Sequence, residues 1–166
     1  DSVRGTAAGD RIFATIACRH GENDQVSTPT RPALVGLDWG TSSLRAYLFG
    51  ADGSLLESRV RPWGIQHLPA GGYAAAFRDV VGTWRGGDAA PPVIAAGMVG
   101  SRSGWREAPY VPCPADLVTL AASLVAFDDG CGLIHLVPGL VQPGPRPDVM
   151  RGEETQIAGA LATDPA

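Results

Sequence analysis

The chain has 166 residues, 45% hydrophobic and 18% charged, with 17 acidic against 13 basic side chains and a net charge of −4. That balance suits one globular domain with a real core and is too apolar for a disordered chain. The acidic excess argues against a nucleic-acid partner, because binding to a phosphate backbone leans on concentrated Lys and Arg.

No apolar run approaches the roughly 20 residues of a bilayer span, and Arg4, Asp10, Arg11, Arg19, Glu22 and Asp24 interrupt the opening stretch. Neither a membrane anchor nor a secretory signal is expected. Cys18, Cys113 and Cys131 are odd in number and lack CxxC spacing, so reduced cytoplasmic thiols are expected rather than a disulfide framework or a zinc site. Residues 1–31 carry little periodicity and end in the breaker cluster Ser27-Thr28-Pro29-Thr30-Arg31-Pro32. They read as an unassigned N-terminal extension, expected to be disordered.

From Ala33 the pattern sharpens, and residues 32–166 read as one α/β lobe. Ala33 to Leu37, Leu44 to Phe49 and Ser54 to Val60 are strand runs, the last two joined at Asp52-Gly53, a pair that tolerates the positive φ of a hairpin turn. Three consecutive antiparallel strands are expected. Tyr73, Phe77, Val80, Val81 and Trp84 recur at spacings of three and four, which predicts an amphipathic helix over 71–84. Val93 to Ala96 reads as a buried strand, Leu117, Leu120, Ala121 and Leu124 as one helix face, and Leu133 to Val137 as a further strand. A last helix starts near Glu153.

Three local sequences carry chemistry. In Leu37-Asp38-Trp39-Gly40-Thr41-Ser42-Ser43-Leu44-Arg45, Gly40 permits close backbone approach to a ligand. Thr41, Ser42 and Ser43 offer hydroxyl and N–H donors to phosphate oxygens, and Asp38 is placed to hold Mg²⁺ through water. An ordinary hairpin turn is the plainer reading.

The second, Gly97-Met98-Val99-Gly100-Ser101-Arg102-Ser103-Gly104-Trp105-Arg106-Glu107-Ala108-Pro109-Tyr110, follows a buried strand, and its glycines allow Ser101, Arg102 and Trp105 to converge on a small ligand. The planar fork of Arg102 suits a carboxylate; a surface loop with Trp105 capping the core is the alternative. The third, Asp148-Val149-Met150-Arg151-Gly152-Glu153-Glu154-Thr155-Gln156, gathers two acids, an Arg and two polar side chains at a strand-to-helix junction. Capping of the helix N-terminus would explain one acid.

Taken together, the three strings resemble the 2-dehydro-3-deoxygalactonokinase family of actin/hexokinase-type sugar kinases, from about Ala33 to Leu161. The resemblance implies an actin-like ATPase (ribonuclease H-like) lobe: a mixed sheet opening with three antiparallel strands and flanked by helices. It implies transfer of the ATP γ-phosphoryl group to the 6-hydroxyl of 2-dehydro-3-deoxy-D-galactonate in bacterial galactonate catabolism, with ATP and Mg²⁺ as cofactors.

Residue by residue, it assigns Asp38, Gly40, Thr41, Ser42 and Arg45 to the nucleotide phosphates, with Asp38 near the metal. Ser101, Arg102, Trp105, Tyr110 and Arg151 go to the sugar acid, and Glu154, then Glu153, to the catalytic base, with Asp148 as a third candidate. Members of the family continue into a second, nucleotide-binding lobe, so this chain is expected to be the N-terminal lobe and inert alone. Whether a homo-oligomer or a complementing C-terminal lobe completes it stays open. A sugar-acid-binding module without turnover and an inactive remnant of the kinase are the competing readings.

Overall fold

The computed structural model describes residues 30–86, 90–128 and 130–163; the expectation of disorder for 1–31 falls almost wholly outside them. Three strands open the lobe. β1 (Pro32–Trp39) pairs antiparallel with β2 (Leu44–Gly50), Leu37 facing Ala46 and Asp38 facing Arg45, and β2 pairs antiparallel with β3 (Leu55–Arg61).

The odd-numbered side chains of β1, Val35, Leu37 and Trp39, are buried. Cβ alternation along a strand puts them on one face, and that face receives α1 (Gly72–Val81) through Ala76, Phe77, Val80 and Val81. Fully burying a Phe or Val side chain contributes about 1.5–3 kcal/mol. No side chain caps the N-terminus of α1, where Gly71 has φ 93°, so packing rather than capping holds this helix.

β4 (Val93–Ala96) lies parallel beside β1, and β7 (Ile134–Leu136) lies parallel beside β4. β6 (Val125–Phe127) closes the edge antiparallel to β7, giving the order β3-β2-β1-β4-β7-β6. A second sheet of β5 (Val111–Pro112), β8 (Leu140–Gln142) and β9 (Asp148–Met150) follows the order β5-β8-β9 and leads into α3 (Glu153–Thr163). The architecture is therefore mixed α/β with few helices.

Two expectations are corrected in extent. The helix foreseen over 71–84 stops at Val81 and continues as a 3₁₀ turn, Gly82–Trp84. There Trp84 is drawn to β3, its Nε1 donating to Glu57 Oε2 at 2.7 Å while the Arg59 guanidinium sits 4.1 Å over its ring. The helix foreseen through Leu124 is α2 (Leu117–Ala122), and of its residues Leu120 is buried while Leu117 and Val118 are exposed.

Gly82, at φ −51°, has nothing within 4 Å of where a Cβ would stand. Gly82→Ala is expected to leave stability unchanged or to raise it by about 0.4–1 kcal/mol, because it restricts only the unfolded chain. Urea denaturation measures this, and a loss above about 1 kcal/mol contradicts it.

Candidate active site

The β1–β2 turn is closed by Gly40 N donating to Ser43 O at 3.0 Å. A loop after β3 lies across it: Ile65 N donates to Gly40 O at 3.0 Å, Gln66 N to Thr41 O at 3.2 Å, and Trp39 Nε1 to Trp63 O at 2.8 Å. Gly64 is buried so tightly against the turn that a Cβ there would fall on the Thr41 carbonyl and the Ser42 nitrogen. The sequence analysis missed this roof, because the contact joins segments more than twenty residues apart; Pro62 and Gly64, flanking Trp63, are the local signal of a loop there. Thr41 is half-buried and Ser42 exposed.

Asp38 points away from the core and pairs with its cross-strand neighbour, Arg45 Nη1 to Asp38 Oδ2 at 3.1 Å, both half-buried. Arg45 is thus committed to Asp38. Among the described residues no cluster of three or more His, Cys, Asp or Glu side chains can enclose a metal ion. One carboxylate is the protein share expected for a Mg²⁺ that arrives on phosphates and keeps several waters, so Asp38 fits that role and no tighter one.

The loop after β4 turns sharply at Gly97, φ 98°, where a Cβ would stand 2.8 Å from Trp39 O. Only glycine accepts both that conformation and that approach. A 3₁₀ turn, Met98–Gly100, follows, and Trp105 N donates to Val99 O at 2.9 Å. The Trp105 ring stacks on Tyr73 at 5.8 Å and meets Trp39, Phe77 and Phe127 edge-on at 5.8, 5.7 and 5.3 Å. It packs against the core, and Tyr73 OH secures the loop by donating to Ser103 O at 2.9 Å. Arg102 is exposed, and Ser101 Oγ is buried with no hydrogen-bond partner among the described residues.

At the third string, Gly152 has φ 109°, and a Cβ there would come within 3.3 Å of the Gly97 Cα. The turn after β1, the loop after β4 and the β9–α3 junction therefore meet at one end of the sheet, outside the carboxyl ends of two parallel strands, where open α/β sheets hold ligands. Arg151 is only 9% exposed. Its Nη2 donates to Ala108 O at 2.7 Å and its guanidinium lies 4.4 Å over the exposed Tyr110 ring.

Glu153 is exposed, its Oε2 accepting from Arg151 N at 3.0 Å, whereas Glu154 is 2% exposed and accepts from Gly152 N at 2.6 Å. Glu154 also borders an apolar groove of about 620 Å³ between α2 and α3, lined by Leu120, Leu140, Met150, Ile157 and Leu161. Burial holds its carboxyl above the ordinary glutamate range; hydrogen bonds from its own backbone and Gly152 pull the other way. Asp148 is exposed, and its carboxylate accepts from Val149 N at 2.8 Å.

From Asp38 onward all three strings lie within residues 38–166, and that stretch matches the family model described as 2-keto-3-deoxy-galactonokinase. The chain belongs to this family. The Escherichia coli (strain K12) protein named 2-dehydro-3-deoxygalactonokinase is 40% identical over 133 residues, 80% of this chain and 44% of that protein. A Rhizobium meliloti (strain 1021) relative carrying the same enzyme name is 41% identical over 130 residues, 76% of this chain and 41% of that one. The fold is similar to a crystal structure described as a 2-dehydro-3-deoxygalactonokinase protein from Sinorhizobium meliloti. Their TM-score is 0.69 at 39% identity, covering 78% of this chain and 42% of that one. The chain thus spans less than half the length of the family members it matches. Among the described residues no helix is long and apolar enough to cross a membrane.

Proposed function

We propose that the protein to which this lobe belongs phosphorylates 2-dehydro-3-deoxy-D-galactonate at its 6-hydroxyl with ATP, in the cytoplasm. Residues 32–166 form its N-terminal lobe, of actin-like ATPase type. The observation that carries the reading is the meeting of the three strings at Trp39, Gly97 and Gly152, where main chain lies against main chain. We assign the nucleotide pocket to the additional length that the family members have beyond their match to this chain.

Phosphoryl transfer needs an in-line hydroxyl and charge neutralisation more than covalent chemistry. The Gly40, Thr41 and Ser42 turn receives phosphate oxygens, with Asp38 held in place by Arg45. Mg²⁺, when bound, neutralises charge on the phosphoryl oxygens, and Asp38 holds it through water. Ser101, Arg102, Trp105, Tyr110 and Arg151 belong to the sugar-acid side: Arg102 meets the carboxylate, while Trp105 and Arg151 shape the loop from within. Glu154 takes the proton of the attacking hydroxyl, burial making its carboxylate a stronger base than an exposed glutamate. Glu153 holds the turn through Arg151 N.

The test is a coupled ADP-release assay on the full-length protein with Mg-ATP and the sugar acid, alongside the 166-residue chain. Turnover is expected from the first and none from the second, since the lobe alone cannot hold ATP in line with the hydroxyl. A full-length protein that binds the sugar acid without turnover supports the binding-module reading instead. A rate of roughly 1–100 s⁻¹ from the short chain overturns the assignment of the nucleotide pocket.

Arg102 is exposed and makes no structural hydrogen bond among the described residues, so Arg102→Ala is expected to leave the melting temperature unchanged. A lost charged hydrogen bond is worth about 1.5–3 kcal/mol, so KM for the sugar acid should rise about 10- to 100-fold with kcat little altered. An unchanged KM moves the carboxylate contact elsewhere.

A further inference from the structure

Arg151 is a buried cation with no direct ion pair: none of those among the described residues includes it, its Nε and Nη1 have no hydrogen-bond partner there, and the opposite charge it acts on is the buried carboxylate of Glu154, without a contact between them. Burying a charge that lacks a full set of hydrogen bonds is unfavourable, so its place in the fold calls for a role. Its side chain and its main chain face two different parts of the site. On the side-chain end, Nη2 holds Ala108 O and the guanidinium carbon sits 4.4 Å from the centre of the Tyr110 ring. Nη1 presses against Gly100, where a Cβ would stand 3.0 Å away. Gly100 and Ala108 are themselves joined, Ala108 N to Gly100 O at 2.9 Å, so the guanidinium grips the base of the loop that displays Arg102. On the main-chain end, the N–H of Arg151 is given to Glu153 and the next N–H, of Gly152, to Glu154.

We infer that Arg151 is a positioning residue that joins the 97–110 loop to the two carboxylates, so that a sugar acid held by the loop is set at a fixed distance from the base. The inference rests on the phosphotransfer reading above, and it gives Arg151 no contact with the substrate. Lysine is not an equivalent, because a single ammonium lacks the planar fork whose separate nitrogens meet Ala108 O and the space beside Gly100 at once.

The experiment is Arg151→Lys in the full-length protein, read by steady-state kinetics and by amide hydrogen exchange. A misplacement near 1 Å costs up to about 10²-fold, so kcat is expected to fall about 10- to 100-fold while KM for the sugar acid and for ATP stays within about 3-fold. Exchange should accelerate at least about 10-fold in both 98–110 and 152–156, because one tether serves both segments. Gly100→Ala keeps the charge but displaces the guanidinium, and should shift kcat and exchange in the same direction by less. Val81→Ala, in the core under β1, controls for general destabilisation and should keep kcat.

A kcat within about 3-fold of the parent for Arg151→Lys, a rise in KM without loss of kcat, or acceleration confined to 98–110 overturns the inference. So does a loss of kcat in Val81→Ala as large as in Arg151→Lys. If the parent full-length protein does not phosphorylate the sugar acid, the phosphotransfer reading has failed, and the exchange of the two segments alone then decides the tether.

Discussion

Glu154→Gln in the full-length protein is expected to lower kcat by about 10²–10⁴, the usual contribution of a general base, with KM for the sugar acid nearly unchanged. Glutamine keeps the shape and an oxygen to accept the 2.6 Å hydrogen bond from Gly152 N, so the fold should survive. The carboxyl is held above the ordinary range first by burial, which has two consequences with opposite faces. A base must be ionised to act, so the acid limb of the kcat profile should lie above the ordinary glutamate range. A group whose folded value is raised contributes stability below its unfolded value and loses it as pH rises through the folded value. The melting temperature of Glu154→Gln relative to the parent should therefore climb from acid to neutral pH. Should Glu154→Gln keep most of its kcat while Glu153→Gln or Asp148→Asn loses it, the base is that residue instead.

Gly64→Ala is expected to cost about 3 kcal/mol of stability, at the upper end for overpacking, and to raise KM for ATP about 10-fold or more in whatever fraction folds. The reason is local. The added Cβ meets main chain, the Thr41 carbonyl and the Ser42 nitrogen, and main chain in a closed turn cannot rotate aside as a side chain can. The turn would open and carry the Thr41 and Ser42 donors with it. Gly82→Ala makes the contrast, the same substitution into open space. Denaturation midpoints for the pair, with ATP kinetics for Gly64→Ala, settle the matter. Equal midpoints would mean that the loop carrying Gly64 yields readily and is no roof at all.

β1 and α1 were legible because their large buried side chains keep a period, and β2 because it is a continuous apolar run. Val35, Leu37 and Trp39 alternate with Leu34, Gly36 and Asp38, and Phe77, Val80 and Val81 recur at helical spacing, so each period survives in the sequence. β5, β8 and β9 run for two or three residues each, too short to show a period, and Pro112 argues locally against a strand. The site was legible as three strings but not as an assembly. Trp105 reads equally well as a ligand contact or as a core residue, and its four ring neighbours come from β1, α1 and β6. Arg151 reads as a contact to the sugar acid until the structure shows it buried beneath the loop. Glu153 and Glu154 are adjacent and chemically identical; only the tertiary fold makes one exposed and the other buried.

The approach of Gly152 to Gly97, and of Gly97 to the Trp39 carbonyl, bears on how this pocket can be remodelled. Because the crossing is main chain on main chain at two left-handed glycines, the gap between the Gly40–Ser42 turn and the two carboxylates is a dimension of the scaffold and not of any rotamer. A library that varies exposed positions such as Arg102, Ser103 and Tyr110 can change which acid is accepted while leaving that gap alone. One that touches Gly97 or Gly152 alters the spacing for every substrate at once.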